Sequence, residues 1–194
     1  WTRLVNGQYR DPMIGRDVLM GTLIGLGIAA ASELMSALPN WFPFQRVTPA
    51  FDFDCLGGNL MFLGQIARQW TSPFINTMGI LVFVLIVWKI VRLKWIALTL
   101  TFITYTVIML NPENPLGLLP LSIVIAALGM LAVIRYGAVA IFVALGMREV
   151  FSLSAITLDL HRWYAYQTPI LILIVLAITA YGFLLSIRPR LHTR

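Results

Sequence analysis

The sequence has very little cysteine, histidine and charge. Its 194 residues include one cysteine, Cys55, and two histidines, and only 11% of them are charged. A single cysteine excludes an internal disulfide and any metal site built on several thiolates. His161 and His192 both lie outside the long apolar segments, which argues against a haem or chlorophyll ligated by histidine within a membrane. We therefore expect no bound cofactor, while lipid or pigment docking on the helix surfaces stays open.

Catalytic motifs are also missing. A protein kinase needs a glycine-rich loop, a strand lysine, a catalytic aspartate and a metal-binding aspartate in a soluble scaffold. The glycines of "LGGNLMFLG" at 56–64 lack the required strand context, and "HRW" at 161–163 has tryptophan where a catalytic loop needs aspartate. Neither an H-E-x-x-H zinc helix nor a G-x-S-x-G elbow occurs. The sequence thus predicts no catalytic residue and no metal ligand.

Apolar sequence dominates what is present. Hydrophobic residues make up 59% of the chain, and the mean hydropathy is +0.86. A soluble domain of this length does not sustain such values. The net charge of +6 is better explained by basic residues that set membrane topology than by nucleic-acid binding. We predict an all-α, polytopic transmembrane helix bundle that forms one membrane domain over residues 1–194.

Six segments are long and apolar enough to be membrane spans, given that a hydrocarbon core of about 30 Å needs about 20 helical residues. The fourth and fifth are separated by little more than Arg135, so they need either a very tight turn or one long bent element. The predicted spans are 17–37, 73–91, 94–110, 116–134, 136–154 and 168–187.

The distribution of lysine and arginine predicts that both termini are cytoplasmic, because short cytoplasmic loops are enriched in these residues. In the long connection at 38–72, "CLGGNLMFLGQIARQW" alternates apolar and polar residues at helical spacing, which predicts an amphipathic helix on the outer membrane surface. This topology leaves only four of the 14 lysines and arginines outside or within a span: Arg46, Arg68, Arg148 and Arg162.

Small residues recur every four positions along the first and fifth predicted spans. Such spacing lets two helix backbones approach closely. Both spans run in the same direction in this topology, so we predict that they pack in parallel, although the same residues also suit packing between two chains. The predicted helix-packing residues are Gly21, Gly25 and Ala29 in the first span, and Ala140 and Ala144 in the fifth.

Each row of small residues ends at a charged residue, Glu33 in the first span and Arg148 in the fifth. A charge in hydrocarbon costs at least about 2.5 to 3.5 kcal/mol, so an unpaired one requires an explanation. We predict a structural ion pair between Glu33 and Arg148. The alternative is a proton or ion relay, for which few other carboxylates are present at mid-membrane depth.

The stretch "YRDPMIGRDVLMG" at 9–21 leads into the first span. Pro12 suits the first turn of a helix, and Gly15 permits a close backbone approach. Asp17 at the predicted helix start is expected to cap free amides, with the arginines at the inner headgroups. The predicted membrane-entry residues are Arg10, Asp11, Pro12, Gly15, Arg16 and Asp17.

Four ordered stretches resemble a known membrane module. They are "RDPMIGRDVLMG" at 10–21, "RYGAVAIFVAL" at 135–145, "ITLDLHRWYAY" at 156–166 and "YGFLLSI" at 181–187. They resemble the C-terminal membrane module of certain multi-pass bacterial serine/threonine protein kinases. The resemblance implies a cytoplasmic kinase domain that precedes the membrane region, in a bacterial inner membrane. This chain lacks that kinase domain, and its start at Trp1 predicts a fragment or a processed product.

Two functions follow as hypotheses. The first is a non-catalytic membrane domain that anchors a cytoplasmic serine/threonine kinase, with regulation of that kinase as an extension. The second is a structural accessory subunit of a larger membrane complex, with helix-packing, lipid or pigment contacts. A small transporter or intramembrane enzyme would need more convergent polar residues at mid-depth. Expected partners are membrane lipids and another membrane protein or a second copy, without nucleic acid.

Overall fold

A computed structural model of the chain describes residues 11–41, 59–110, 118–153, 161 and 165–187. Every regular element in these ranges is helical, which confirms the predicted all-α class. A short π-helix, Ala132–Tyr136, joins α5 to α6. The α-helices are α1 (Pro12–Trp41), α2 (Asn59–Gln69), α3 (Thr71–Val91), α4 (Lys94–Ile108), α5 (Leu119–Leu131), α6 (Ala138–Leu153) and α7 (Gln167–Ile187).

Four helical segments are long and apolar enough to cross a membrane, which indicates a membrane protein. They overlap the first, second, fourth and sixth predicted spans. The predicted count of six spans is therefore not confirmed. The four segments are Pro12–Leu38, Leu63–Val91, Leu119–Tyr136 and Gln167–Ile187.

The third and fifth predicted spans correspond to shorter helices. α4 has 15 residues and α6 has 16, so at 1.5 Å per residue they are about 22 and about 24 Å long. Both lengths are below the hydrocarbon thickness of about 30 Å. Apolar composition extended the predicted spans across residues 109–110 and 136–137, which the structure places outside these two helices.

α6 is the central helix of the bundle. Ala140, Ala144 and Met147 on one face of the helix are each 0% exposed, and Ile141, Val143 and Leu145, which point in other directions, are also buried. Small side chains let neighbouring helices approach it from several sides. In a membrane this arrangement is stabilised mainly by van der Waals packing, because lipid tails are as apolar as the side chains they would replace.

The chain reverses direction between α5 and α6. Gly137 follows the π-helix with φ 85° and ψ −165°, a conformation that essentially only glycine adopts. A β-carbon on Gly129 would lie 3.8 Å from Cδ1 of Ile141, which places α6 back against α5. Of the two arrangements predicted around Arg135, the structure has the tight turn.

α1 runs parallel to α6 and antiparallel to α7. Gly15, near the start of α1, contacts Gly182 near the end of α7, while Leu171 near the start of α7 packs with Val150 near the end of α6. The bundle therefore has two ends. We name them the Asp17 end, where α1 and α6 begin, and the Arg148 end, where α6 finishes.

α2 is present where the sequence predicts an amphipathic helix. Leu60 and Met61 are exposed, and Ile66 is buried in a cluster with Val150 and Leu171. Only Trp70 separates α2 from α3. The helix is therefore anchored to α6 and α7 at the Arg148 end through the buried side chain of Ile66.

Candidate functional site

α1 and α7 touch backbone to backbone near the start of α1. A β-carbon on Gly15 would lie 2.6 Å from the carbonyl oxygen of Gly182 and 2.6 Å from the amide nitrogen of Ser186. The reverse contact is looser, because a β-carbon on Gly182 would lie 3.1 Å from the carbonyl oxygen of Gly15. Any side chain at position 15 would force α7 to move.

α1 and α6 are in similarly close contact about two and about three turns later along α1. A β-carbon on Gly21 would lie 2.7 Å from the carbonyl oxygen of Ala140, and one on Gly25 would lie 2.8 Å from Cα of Ala144. Ala29, one turn further along α1, is 3% exposed. The small residues singled out by their spacing thus lie in helix contacts. We call Gly15, Gly21, Gly25, Gly182, Ala140 and Ala144 the glycine junction.

The start of α1 differs from the sequence prediction. The helix begins at Pro12, and Asp11 precedes it as the cap, with its Oδ1 accepting a hydrogen bond from the amide of Met13 at 2.9 Å. Pro at the first helical position needs no such partner, since it has no N–H. Asp17 lies in the second turn and does not cap the helix. Arg10 lies outside the described residues.

Asp17 instead pairs with its neighbour in the chain. Nη2 of Arg16 is 3.0 Å from Oδ1 of Asp17, and the Arg16 side chain is 53% exposed. The guanidinium carbon of Arg16 also lies 5.9 Å from the centre of the Tyr136 ring, in the π-helix. The pair therefore connects the start of α1 to the turn before α6 through a cation–π contact.

The predicted ion pair between Glu33 and Arg148 is not formed in the structure. Nη1 of Arg148 is 3.3 Å from Oε1 of Glu149, and Glu33 is exposed. The register explains the difference. Gly21 lies against Ala140 and Gly25 against Ala144. Continuing in steps of four residues along both parallel helices places Ala29 beside Arg148. Glu33 therefore lies one helical turn beyond Arg148.

The charged pair at the Arg148 end has a third polar member from another helix. Nε2 of Gln69, the last residue of α2, donates a hydrogen bond to Oε2 of Glu149 at 3.3 Å. The ring of Trp70, the next residue, covers Gly146 closely enough that a β-carbon there would clash with it. The sequence prediction missed Gln69 and Gly146, because both act through contacts between segments that are far apart in the chain.

Three of the four ordered stretches quoted in the sequence analysis meet at the glycine junction. Gly15 and Gly21 belong to "RDPMIGRDVLMG", Ala140 and Ala144 to "RYGAVAIFVAL", and Gly182 to "YGFLLSI". The remaining stretch, 156–166, lies largely outside the described residues. These three stretches therefore contain most of the positions of the glycine junction, with Gly25 as the exception.

Metal-binding groups and known relatives give no further assignment. Within the described ranges, no group of three or more histidine, cysteine, aspartate or glutamate residues is placed to hold a metal ion. Comparison of the chain with protein-family models, curated proteins and solved structures found no match.

Proposed function

We propose that the chain is a non-catalytic membrane module that anchors a cytoplasmic serine/threonine kinase, with the glycine junction as its structural centre. The observation that supports this most is the contact of Gly15 with Gly182. It joins the first and last of the stretches that resemble the kinase-associated module. Glycine at these positions has a direct physical reason, because the helix backbones leave no space for a side chain at position 15.

The charges at the Asp17 end support a cytoplasmic location for that end. Ser122 Oγ is 3.2 Å from the carbonyl oxygen of Met109, which places the end of α4 beside the start of α5 at the Arg148 end. α4 therefore begins at the Asp17 end, and the turn between α3 and α4 lies there. Exposed basic residues on the cytoplasmic side agree with the usual topology of multi-pass proteins. Those at this end are Arg16, Lys89, Arg92, Lys94 and Arg135.

In this function the bundle holds the kinase at the inner face of a bacterial cytoplasmic membrane. α1 enters the membrane directly after its Asp11 cap, so the orientation of α1 fixes where the preceding chain leaves the bilayer. The contact of α1 with both α6 and α7 makes that orientation rigid. Regulation is the natural extension, because a change in the α1–α7 contact would move the segment that leads into α1.

Mass measurement on the native polypeptide tests the proposal. An antibody raised against this chain would be used to isolate the protein from source membranes, followed by intact mass and an autophosphorylation assay. We expect a polypeptide much heavier than 21.8 kDa that phosphorylates itself on serine or threonine. A species close to 21.8 kDa without kinase activity would overturn the proposal.

An accessory subunit of a larger membrane complex is the second candidate, and one observation favours it. Gly79 lies in the middle of α3 on an exposed face, and a β-carbon there would meet no atom within 4 Å. Small residues on exposed apolar helices allow close approach of a partner helix. The same antibody isolation distinguishes the two functions, because an accessory subunit would be recovered at its own mass together with other membrane polypeptides.

A further inference from the structure

The end of α3 and the start of α4 carry three exposed basic residues within six positions, Lys89, Arg92 and Lys94. We call these three residues and the connection between the two helices the basic turn. α3 ends at Val91 and α4 begins at Lys94, so only two residues join the helices. The apolar segment Leu63–Val91, which is long enough to cross a membrane, ends directly before Arg92. The basic turn therefore lies where this segment leaves the hydrocarbon, at the depth of the lipid headgroups.

The backbone of the basic turn keeps these charges close together. Arg92 has φ 60° and ψ 0°, and its amide donates a hydrogen bond to the carbonyl oxygen of Trp88 at 2.8 Å, which ends α3 in a tight turn. Nζ of Lys94, at the start of α4, lies 5.2 Å from the centre of the Trp88 ring. Lys89 is the next residue along α3. Cations from both helices are therefore concentrated at one end of the helix pair.

The sequence around the basic turn contains no carboxylate. Neither aspartate nor glutamate occurs from residue 55 to residue 112. Within the described ranges the salt bridges are Arg16–Asp17 and Arg148–Glu149, and neither involves the basic turn. The free amides at the start of α4 add to the positive potential, because the first turn of α4 has no side-chain cap and no acidic residue. The basic turn therefore presents a concentrated positive charge on the surface of the bundle.

Large apolar side chains lie exposed next to these cations. Ile90 is 74% exposed, Leu93 58% and Trp95 84%. Contact of such surface with water is unfavourable, and tryptophan is enriched at the boundary between hydrocarbon and headgroups. A soluble anion would neutralise the cations and leave the apolar side chains in water. A ligand that satisfies both parts has an anionic group joined to long apolar chains.

We propose that the basic turn binds an anionic phospholipid, with Lys89, Arg92 and Lys94 around the headgroup phosphodiester and the acyl chains along the exposed apolar surfaces of α3 and α4. Charge selects this lipid class. A zwitterionic headgroup brings its own cation, whereas three neighbouring cations favour a headgroup with net negative charge. The guanidinium can donate paired hydrogen bonds to phosphate oxygens, while the ammonium groups act as point charges. The site does not depend on whether a kinase is attached.

Competitive lipid retention tests the proposal. The chain would be reconstituted in vesicles of phosphatidylglycerol and phosphatidylethanolamine in equal amounts, extracted in mild detergent, washed and analysed for retained lipid by native mass spectrometry. We expect the wild-type chain to retain several-fold more phosphatidylglycerol than phosphatidylethanolamine. Replacing Lys89, Arg92 and Lys94 together by glutamine should abolish this preference, and Arg92→Gln alone should lower it. Lys89→Arg combined with Lys94→Arg keeps the charges and should preserve the preference.

Two other exposed arginines provide the matched control. Arg135 lies in the π-helix, at the same end of the bundle as the basic turn, and Arg68 lies in the last turn of α2. Arg68→Gln combined with Arg135→Gln lowers the net charge outside the basic turn. We expect this double variant to retain the wild-type preference for phosphatidylglycerol. Size-exclusion profiles and circular dichroism would verify that all variants fold.

Three outcomes would overturn the proposal. The first is equal retention of the two lipids by the wild-type chain. The second is a loss of preference in the Arg68 and Arg135 double variant as large as that in the basic-turn triple variant, which would show that net charge alone selects the lipid. The third is displacement of phosphatidylglycerol by inorganic phosphate, which would assign the basic turn to a soluble anion.

Discussion

Gly15 and Gly182 hold α1 and α7 in direct backbone contact at the Asp17 end. The α1 side of the contact is the tighter, with 2.6 Å from a β-carbon on Gly15 to the carbonyl oxygen of Gly182, against 3.1 Å for the reverse. A backbone carbonyl cannot rotate away as a flexible side chain can. The contact therefore fixes the spacing between the helix that enters the bundle and the helix that leaves it.

Gly15→Ala should destabilise the bundle, because the added methyl group meets the α7 backbone. Overpacking of this kind typically costs about 1 to 3 kcal/mol. The midpoint of unfolding in mixed detergent and SDS micelles, followed by circular dichroism, would measure the change. Gly79→Ala is the control. It adds the same methyl group where nothing lies within 4 Å, and alanine is the better helix former by up to about 1 kcal/mol. Equal stability of Gly15→Ala and wild type would contradict the described contact.

Gly146→Ala should be destabilising for a different reason, since its methyl group would meet the Trp70 ring. The ring also lies 5.6 Å from the centre of the Phe142 ring, which limits its freedom to move. A double-mutant cycle with Trp70→Leu separates this clash from other effects. We expect the double variant to be more stable than the sum of the single changes predicts, with a coupling of about 0.5 to 3 kcal/mol. Additive effects would show that Trp70 and Gly146 do not interact.

The spacing of the small residues was enough to predict which residues pack between helices. The partner of each charged residue could not be predicted in this way, because it depends on how far one helix is shifted along the other. Gly21, Gly25, Ala140 and Ala144 repeat every four residues, and one-dimensional spacing is enough to place them on a helix face. The sequence does not reveal which turn of one helix faces which turn of the other. An error of one turn moves Glu33 away from Arg148.

Helix boundaries were harder to predict for a related reason. A hydropathy pattern registers the apolar run and not the polar residues that begin the helix, so the first span was predicted to start at residue 17. The local Asp-Pro pair at 11 and 12, an acceptor side chain followed by a residue suited to the first helical position, would have located the start. The burial of Tyr105 depends on α3, α5 and α6 together, so no local signal reveals it.

Asp11→Ala should reduce stability more than Asp17→Ala. Loss of an N-cap costs about 1 kcal/mol, and the Asp11 side chain accepts a hydrogen bond from the Met13 amide. The Arg16–Asp17 pair has a half-exposed arginine, and such pairs are worth about 0 to 1 kcal/mol. Unfolding midpoints of both variants would be compared. Asp11→Asn, which keeps a capping oxygen, should restore most of the loss, and the cap assignment would be wrong if it did not.

Glu149, and not Glu33, is the partner of Arg148. Replacing each glutamate by the isosteric glutamine should therefore change the free energy of unfolding by different amounts. Glu33 is exposed, so Glu33→Gln should alter the free energy of unfolding by no more than about 0.5 kcal/mol. Glu149 has a side chain 14% exposed and contacts both Arg148 and Gln69. Glu149→Gln leaves the Arg148 charge without its counter-charge in a largely apolar environment. We expect it to cost at least about 1 kcal/mol, less than the loss from a fully buried pair because Arg148 is 28% exposed. Unfolding midpoints at constant ionic strength measure both, and a larger effect for Glu33→Gln would restore the register predicted from the sequence.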